Sequence, residues 1–151
     1  MCIRDSNGGN YEGLWACLND DLSVWGGSRS GVTFGRFDEN NPKVESGKKL
    51  TTDRFHCLAG RMGSGTGTVK IDVFVDDSTP LNSVAYPVSE KTNPERMAIG
   101  TERDASNHPG TESFDGAIAR ILIYERPLPA QELKTTLKWL KQEYGIEAEE
   151  N

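Results

Sequence analysis

Residues 113–124 read Ser-Phe-Asp-Gly-Ala-Ile-Ala-Arg-Ile-Leu-Ile-Tyr, and Arg126-Pro-Leu-Pro129 leads on into residues 130–144. Alternation along the first part predicts a long strand that is apolar on both faces. Ala117, Ala119, Ile121 and Ile123 point one way, and Ile118, Leu122 and Tyr124 point the other. A strand of that kind needs a cover on its second face. The following segment offers one. Leu133, Leu137, Leu140 and Tyr144 recur at helical spacing and form a single apolar stripe. The expected unit is therefore a doubly buried strand with a helix folded back over the sheet. On that reading Leu122→Asp buries a carboxylate and unfolds the domain.

Pro129 suits the first turn of this helix, and Glu132 complements its N-terminal dipole. Lys138 and Lys141 fall near the other end, Gly145 supplies the stop, and Ile146 can fold back onto the last turn. Working upstream, Val69, Ile71, Val73 and Val75 give the cleanest alternation in the chain and predict a strand with one face in a core. Arg54–Met62 precedes it across the Gly-rich stretch Gly63–Thr68, so the two form an antiparallel hairpin. Phe55, Cys57 and Ala59 take one side of Arg54–Met62, and His56 and Leu58 take the other. Further strands are expected at Tyr11–Leu18, Leu22–Trp25, Val32–Phe37, Ser83–Val88 and Arg96–Thr101. Asp38–Lys49 reads as an exposed connection, Asp76–Pro80 as a turn and Glu102–Ser113 as a long polar loop. With no helix before Ala130, a parallel α/β architecture is excluded. The fold class is all-β, a two-sheet antiparallel β-sandwich with a C-terminal α-helix.

The 151 residues suffice for one domain, and 16 glycines among 35% hydrophobic residues suit many short strands and turns. A net charge of −6 opposes direct binding to nucleic acid or anionic lipid, and no apolar run is long enough for membrane insertion. Met1–Ser6 lacks the apolar core of a signal peptide and reads as a non-native leader to a truncated chain. The domain is then assigned to residues 7–146, with 147–151 as an acidic tail. Cys17 and Cys57 are either two buried thiols or a disulfide.

The run Phe114-Asp-Gly, then Ile118-Ala119, Leu122-Ile-Tyr124, Arg126-Pro-Leu128, Glu132-Leu133 and Tyr144-Gly145 resembles the C-terminal signature of concanavalin A-like lectin/glucanase domains. The resemblance is to their laminin-G-like (pentraxin-like) branch in large secreted bacterial proteins. Leu58–Met62, Val69–Val75 and Met97-Ala-Ile-Gly100 follow in the expected order, although Asp76-Asp77-Ser78 replaces the usual Asn-Gly turn and the first strands are missing. The resemblance implies a jelly roll in the extracellular space or cell envelope. It implies a non-catalytic recognition or adhesion module holding a glycan or protein surface, among other domains of a parent chain. Two alternatives are an accessory or remnant domain of a glycan-processing enzyme and a structural spacer.

A glucanase of this superfamily needs paired carboxylates, supplied by Glu-x-Asp-x-Glu on a mid-sheet strand. The nearest strand here has Asp72 alone, with Lys70 and Phe74 where glutamates should stand. No nucleophile elbow or zinc spacing is present, and Gly63–Thr68 precedes a strand and lacks the lysine of a phosphate loop. His56 reads as a structural strand residue, His108 as a solvated loop residue and Asp115 as a structural turn residue. For glycan binding the candidates are Trp25 beside Arg29, and Tyr86, with Arg103, Asn107 and His108 as polar partners. Calcium is the one candidate cofactor. Its candidate ligands are Asp38, Asp76, Asp77 and Asp104, in loops with no dedicated calcium spacing.

Overall fold

The computed structural model describes residues 2–6, 14–18, 32–36, 43–48, 50–51, 53–65, 67–88, 96–100 and 116–146. They form two antiparallel sheets and one C-terminal helix. The first sheet contains β1 (Cys2–Ser6), β2 (Leu14–Leu18), β3 (Val32–Arg36), β4 (Lys43–Glu45) and β8 (Arg96–Ala98), in the order β4-β3-β2-β1-β8. The second contains β5 (Leu58–Met62), β6 (Gly67–Val75) and β7 (Asn82–Val88), with β6 in the middle. Residues 2–6, expected to stand outside the domain, pair as β1 with both β2 and β8.

The alternation at Val69–Val75 is what joins the sheets. Val69, Ile71, Val73 and Val75 are buried and meet Val32 and Val44 of the first sheet and Val88 of β7. Phe34, Leu58, Met62, Val84 and Tyr86 pack around this core. Val44 corrects the reading of Asp38–Lys49 as an exposed connection. Its segment is a short edge strand paired with β3, and its side chain is 1% exposed. One apolar residue in a polar run carries almost no periodic signal, which is why the strand is hidden in the sequence. Ser46 fixes the same edge. Its N–H donates to Val32 O at 2.7 Å, and its Oγ accepts from the Val32 N–H at 3.0 Å.

The sheets approach closely where β5 crosses β3. A Cβ added at Gly60 would lie 2.0 Å from Cγ of Phe34, at the rigid root of the ring. We expect Gly60→Ala to lose about 1–3 kcal/mol of stability, measured by urea unfolding. Phe34→Leu should recover part of that loss only in the Gly60→Ala background.

The largest correction concerns residues 116–124. They belong to neither sheet, and no backbone hydrogen bond joins 117–124 to another described residue. Leu122 is 41% exposed and Ile123 66% exposed, so the ground for expecting Leu122→Asp to unfold the domain disappears. The strand buried on both faces is β6. Its second face carries Phe74, 1% exposed, and this is the face that the helix covers.

Helix α1 (Ala130–Tyr144) uses the predicted stripe. Leu133 and Leu137 are buried with Cys57, Phe74, Leu128 and Ile146, and Leu140, Tyr144 and Ala59 pack at the margin. Gly145 ends the helix at φ 60°, and Ile146 N–H donates to Lys141 O at 2.9 Å. That bond is the Schellman stop, with Ile146 folded back against the core. The start has Pro129 and no side-chain cap. Among the described residues no helix is long and apolar enough to cross a membrane.

Candidate functional site

Two neighbourhoods hold the chemistry of the described surface. The first is the outer face of the second sheet and its end beside residues 51–57. Register places Arg61, Asp72 and Ser83 directly opposite one another on β5, β6 and β7. Arg61 Nε and Nη2 donate to Asp72 Oδ2 at 3.0 and 2.7 Å, and Ser83 Oγ donates to Oδ1. Lys70 Nζ lies 3.0 Å from the same Oδ1. Arg61 Nη1 also donates to Leu128 O at 3.2 Å, and its guanidinium lies over the Phe74 ring at 5.2 Å. The row therefore ties three strands to the segment that enters the helix.

Burial opposes the charge on Asp72, but hydrogen bonds from Ser83, Arg61 and Lys70 outweigh it and hold the carboxyl below its ordinary value of 3.8. Such a group stabilises the fold above its unfolded pKa, and that contribution is lost as pH falls through its lower folded pKa. Urea midpoints of the wild type should therefore decline below about pH 4. Asp72→Asn should be less stable at neutral pH and lose less on acidification.

At the end of β6, Asp76 is 5% exposed, and its φ of 55° is left-handed. Oδ1 accepts from Cys57 N–H at 2.7 Å, and Oδ2 from His56 Nδ1 at 2.7 Å and Arg54 Nη2 at 3.3 Å. Nε2 of His56 lies 3.1 Å from Thr51 O and 3.3 Å from Thr51 Oγ1. Carboxylate, imidazole and hydroxyl thus stand in the order of a nucleophilic triad. Nε2 lies nearer the backbone carbonyl of Thr51 than its hydroxyl, however, so the hydroxyl is not the ring's nearer partner. The arrangement is a clasp between residues 51–57 and the end of β6. Cys57 is a free, buried thiol, so it forms no bridge to Cys17, and burial and the nearby Asp76 raise its pKa. It stays protonated at neutral pH.

The second neighbourhood is a shallow groove of about 350 Å³ lined by Tyr124, Leu128, Gln131, Glu132, Thr135 and Thr136. The approach to the helix places Tyr124 there, and the first two helical turns supply the polar side chains. Tyr124 is 47% exposed. Arg126 Nη2 pairs with Glu132 Oε2 at 2.7 Å, and Thr135 Oγ1 donates to Gln131 O at 2.9 Å. On another part of the helix Arg120 lies over Trp139 at 4.9 Å and Tyr144 at 5.8 Å.

The residues singled out from sequence fare unequally. Tyr86 is half-buried and packs against the inner core, so its ring is not a free plate. Asp76 is engaged on both oxygens, and the exposed Asp77 accepts from Thr79 N–H at 2.6 Å, which holds its carboxyl below the usual range. Trp25, Arg29, Asp38, Arg103, Asp104, Asn107, His108 and Asp115 lie outside the described residues. Among the described residues no group of three or more His, Cys, Asp or Glu is placed to hold a metal ion. Sequence reading missed the groove. Its signal was present, an aromatic six residues before a helix whose first turns carry an amide, a carboxylate and two hydroxyls. Comparison with family models, with curated proteins and with solved structures returns no match.

Proposed function

We infer that the chain is a non-catalytic carbohydrate-recognition module, built on a laminin-G-like β-sandwich of jelly-roll type and carried by a larger exported bacterial protein. The carrying observation is the groove at the start of α1, where an exposed tyrosine stands beside Gln131, Glu132, Thr135 and Thr136. Sugars are held by an aromatic face under the C–H side of the ring and by directional polar groups around its hydroxyls. The core shared by the two sheets supports the sandwich reading, and the motif order from Leu58 to Gly145 supports the family reading.

The test is a glycan array followed by calorimetry with the best neutral oligosaccharide. Tyr124→Ala should weaken binding by about tenfold or more. Gln131→Ala should weaken it less, and both variants should keep the wild-type melting temperature. Binding lost in Trp25→Ala but retained in Tyr124→Ala would move the site to the loops. An array with no hits would remove the glycan reading and leave protein recognition or a spacer role.

A further inference from the structure

We propose, resting on the glycan reading, that Trp139 forms a second sugar-binding position beside the groove. The site then takes a linear, neutral oligosaccharide rather than a single ring. Trp139 is 39% exposed and belongs to α1, whose first turns line the groove with Gln131, Glu132, Thr135 and Thr136. Residues three and four apart are neighbours on a helix surface, so Trp139 adjoins Thr135 and Thr136 one turn further on. It also stands seven residues after Glu132 on the same face, about 10 Å along the helix axis. That separation exceeds one sugar ring and suits rings spaced along a chain.

The segment that brings Tyr124 to the groove also reaches Trp139. Arg120, four residues before Tyr124, lies over the Trp139 ring, 4.9 Å from its centre, and over Tyr144 at 5.8 Å. One short run of chain therefore touches both ends of the extended site. Arg120 steadies the indole yet leaves much of it open, and a stacked guanidinium still donates from its edge. Trp139 thus has a polar companion, as Tyr124 has in Gln131. Open aromatic surface with hydrogen-bonding groups at its margin is what a sugar ring requires. Charge favours a neutral ligand, because the Arg126 guanidinium and the Glu132 carboxylate at the groove neutralise each other at 2.7 Å.

Calorimetry on the whole chain tests this, with the disaccharide and tetrasaccharide of the neutral series derived from cellulose, chitin, laminarin and starch. In a series that binds, the tetrasaccharide should bind the wild type about tenfold or more tighter than the disaccharide. In Trp139→Ala that gain should vanish, so that the two lengths bind alike. Trp139→Phe restores an aromatic plate and should recover most of the gain, whereas Arg120→Ala should lose part of it. Helical circular dichroism and the melting temperature confirm the fold of each variant. Tryptophan emission adds a second readout: the tetrasaccharide should shift it in the wild type and not in Trp139→Phe. An affinity independent of chain length overturns the second position, and so does a gain that survives Trp139→Ala. The glycan reading stands in both of those cases. If none of these series binds, the second position is overturned, and the array alone decides the glycan reading.

Discussion

Replacing Phe74 with alanine should lose about 3–5 kcal/mol of unfolding free energy, among the largest effects of any single substitution in this chain. The ring is 1% exposed and packs with Cys57, Leu128, Leu133, Leu137 and Ile146. It is thus the sheet's main contribution to the contact with the helix. The hole left by truncation cannot easily collapse. β6 is held on both sides by β5 and β7, and its opposite face is filled by Ile71, Val73 and Val75. Arg61 would also lose the ring over which its guanidinium lies. Phe74→Leu keeps an apolar plug and should lose about 1–1.5 kcal/mol. Urea unfolding followed by helical circular dichroism separates the cases. If Phe74→Ala shifts the unfolding free energy by less than about 1 kcal/mol, the helix does not depend on this face.

The same residue shows where sequence reading succeeded and where it failed. The helix stripe, its glycine stop and the folded-back Ile146 were all legible, because each depends on neighbours within a few residues. The inner face of β6 was legible for the same reason. Its outer face was not. Lys70, Asp72 and Phe74 look like a polar face with one stray aromatic, whereas residues 117–124 look apolar on both sides. Hydropathy therefore gave the helix the wrong strand to cover. What makes the buried Asp72 tolerable is its position opposite Arg61 and Ser83. That register depends on how many residues each hairpin loop consumes, which alternation within a strand does not encode. The site suffered similarly. Tyr86 was chosen as an aromatic in a short strand, but parity puts it on the inner side with Val84 and Val88. Tyr124 reads in the sequence as the end of a buried strand, which hides it as a surface plate.

Asp76→Ala should be the second severe substitution, at about 3–5 kcal/mol, because it strips acceptors from a buried N–H and two positively polarised side chains at once. Cys57 N–H, His56 Nδ1 and Arg54 Nη2 all converge on the one carboxylate, while Asp76 N–H returns a bond to Cys57 O at 2.8 Å. Alanine would in addition be forced into the left-handed conformation that residue 76 occupies, a further cost of about 1 kcal/mol. Two companion variants separate these causes. Asp76→Asn keeps an oxygen for Cys57 N–H and tolerates the backbone angle, so it should lose only about 1–2 kcal/mol. Asp76→Gly relieves the backbone but abandons all three donors, and it should fall between asparagine and alanine. The expected order of stability is therefore wild type, asparagine, glycine, alanine, read from urea midpoints at neutral pH. A glycine variant as stable as the wild type would mean that the desolvation of the carboxylate cancels everything its bonds contribute. The turn after β6 would then be held by its backbone alone.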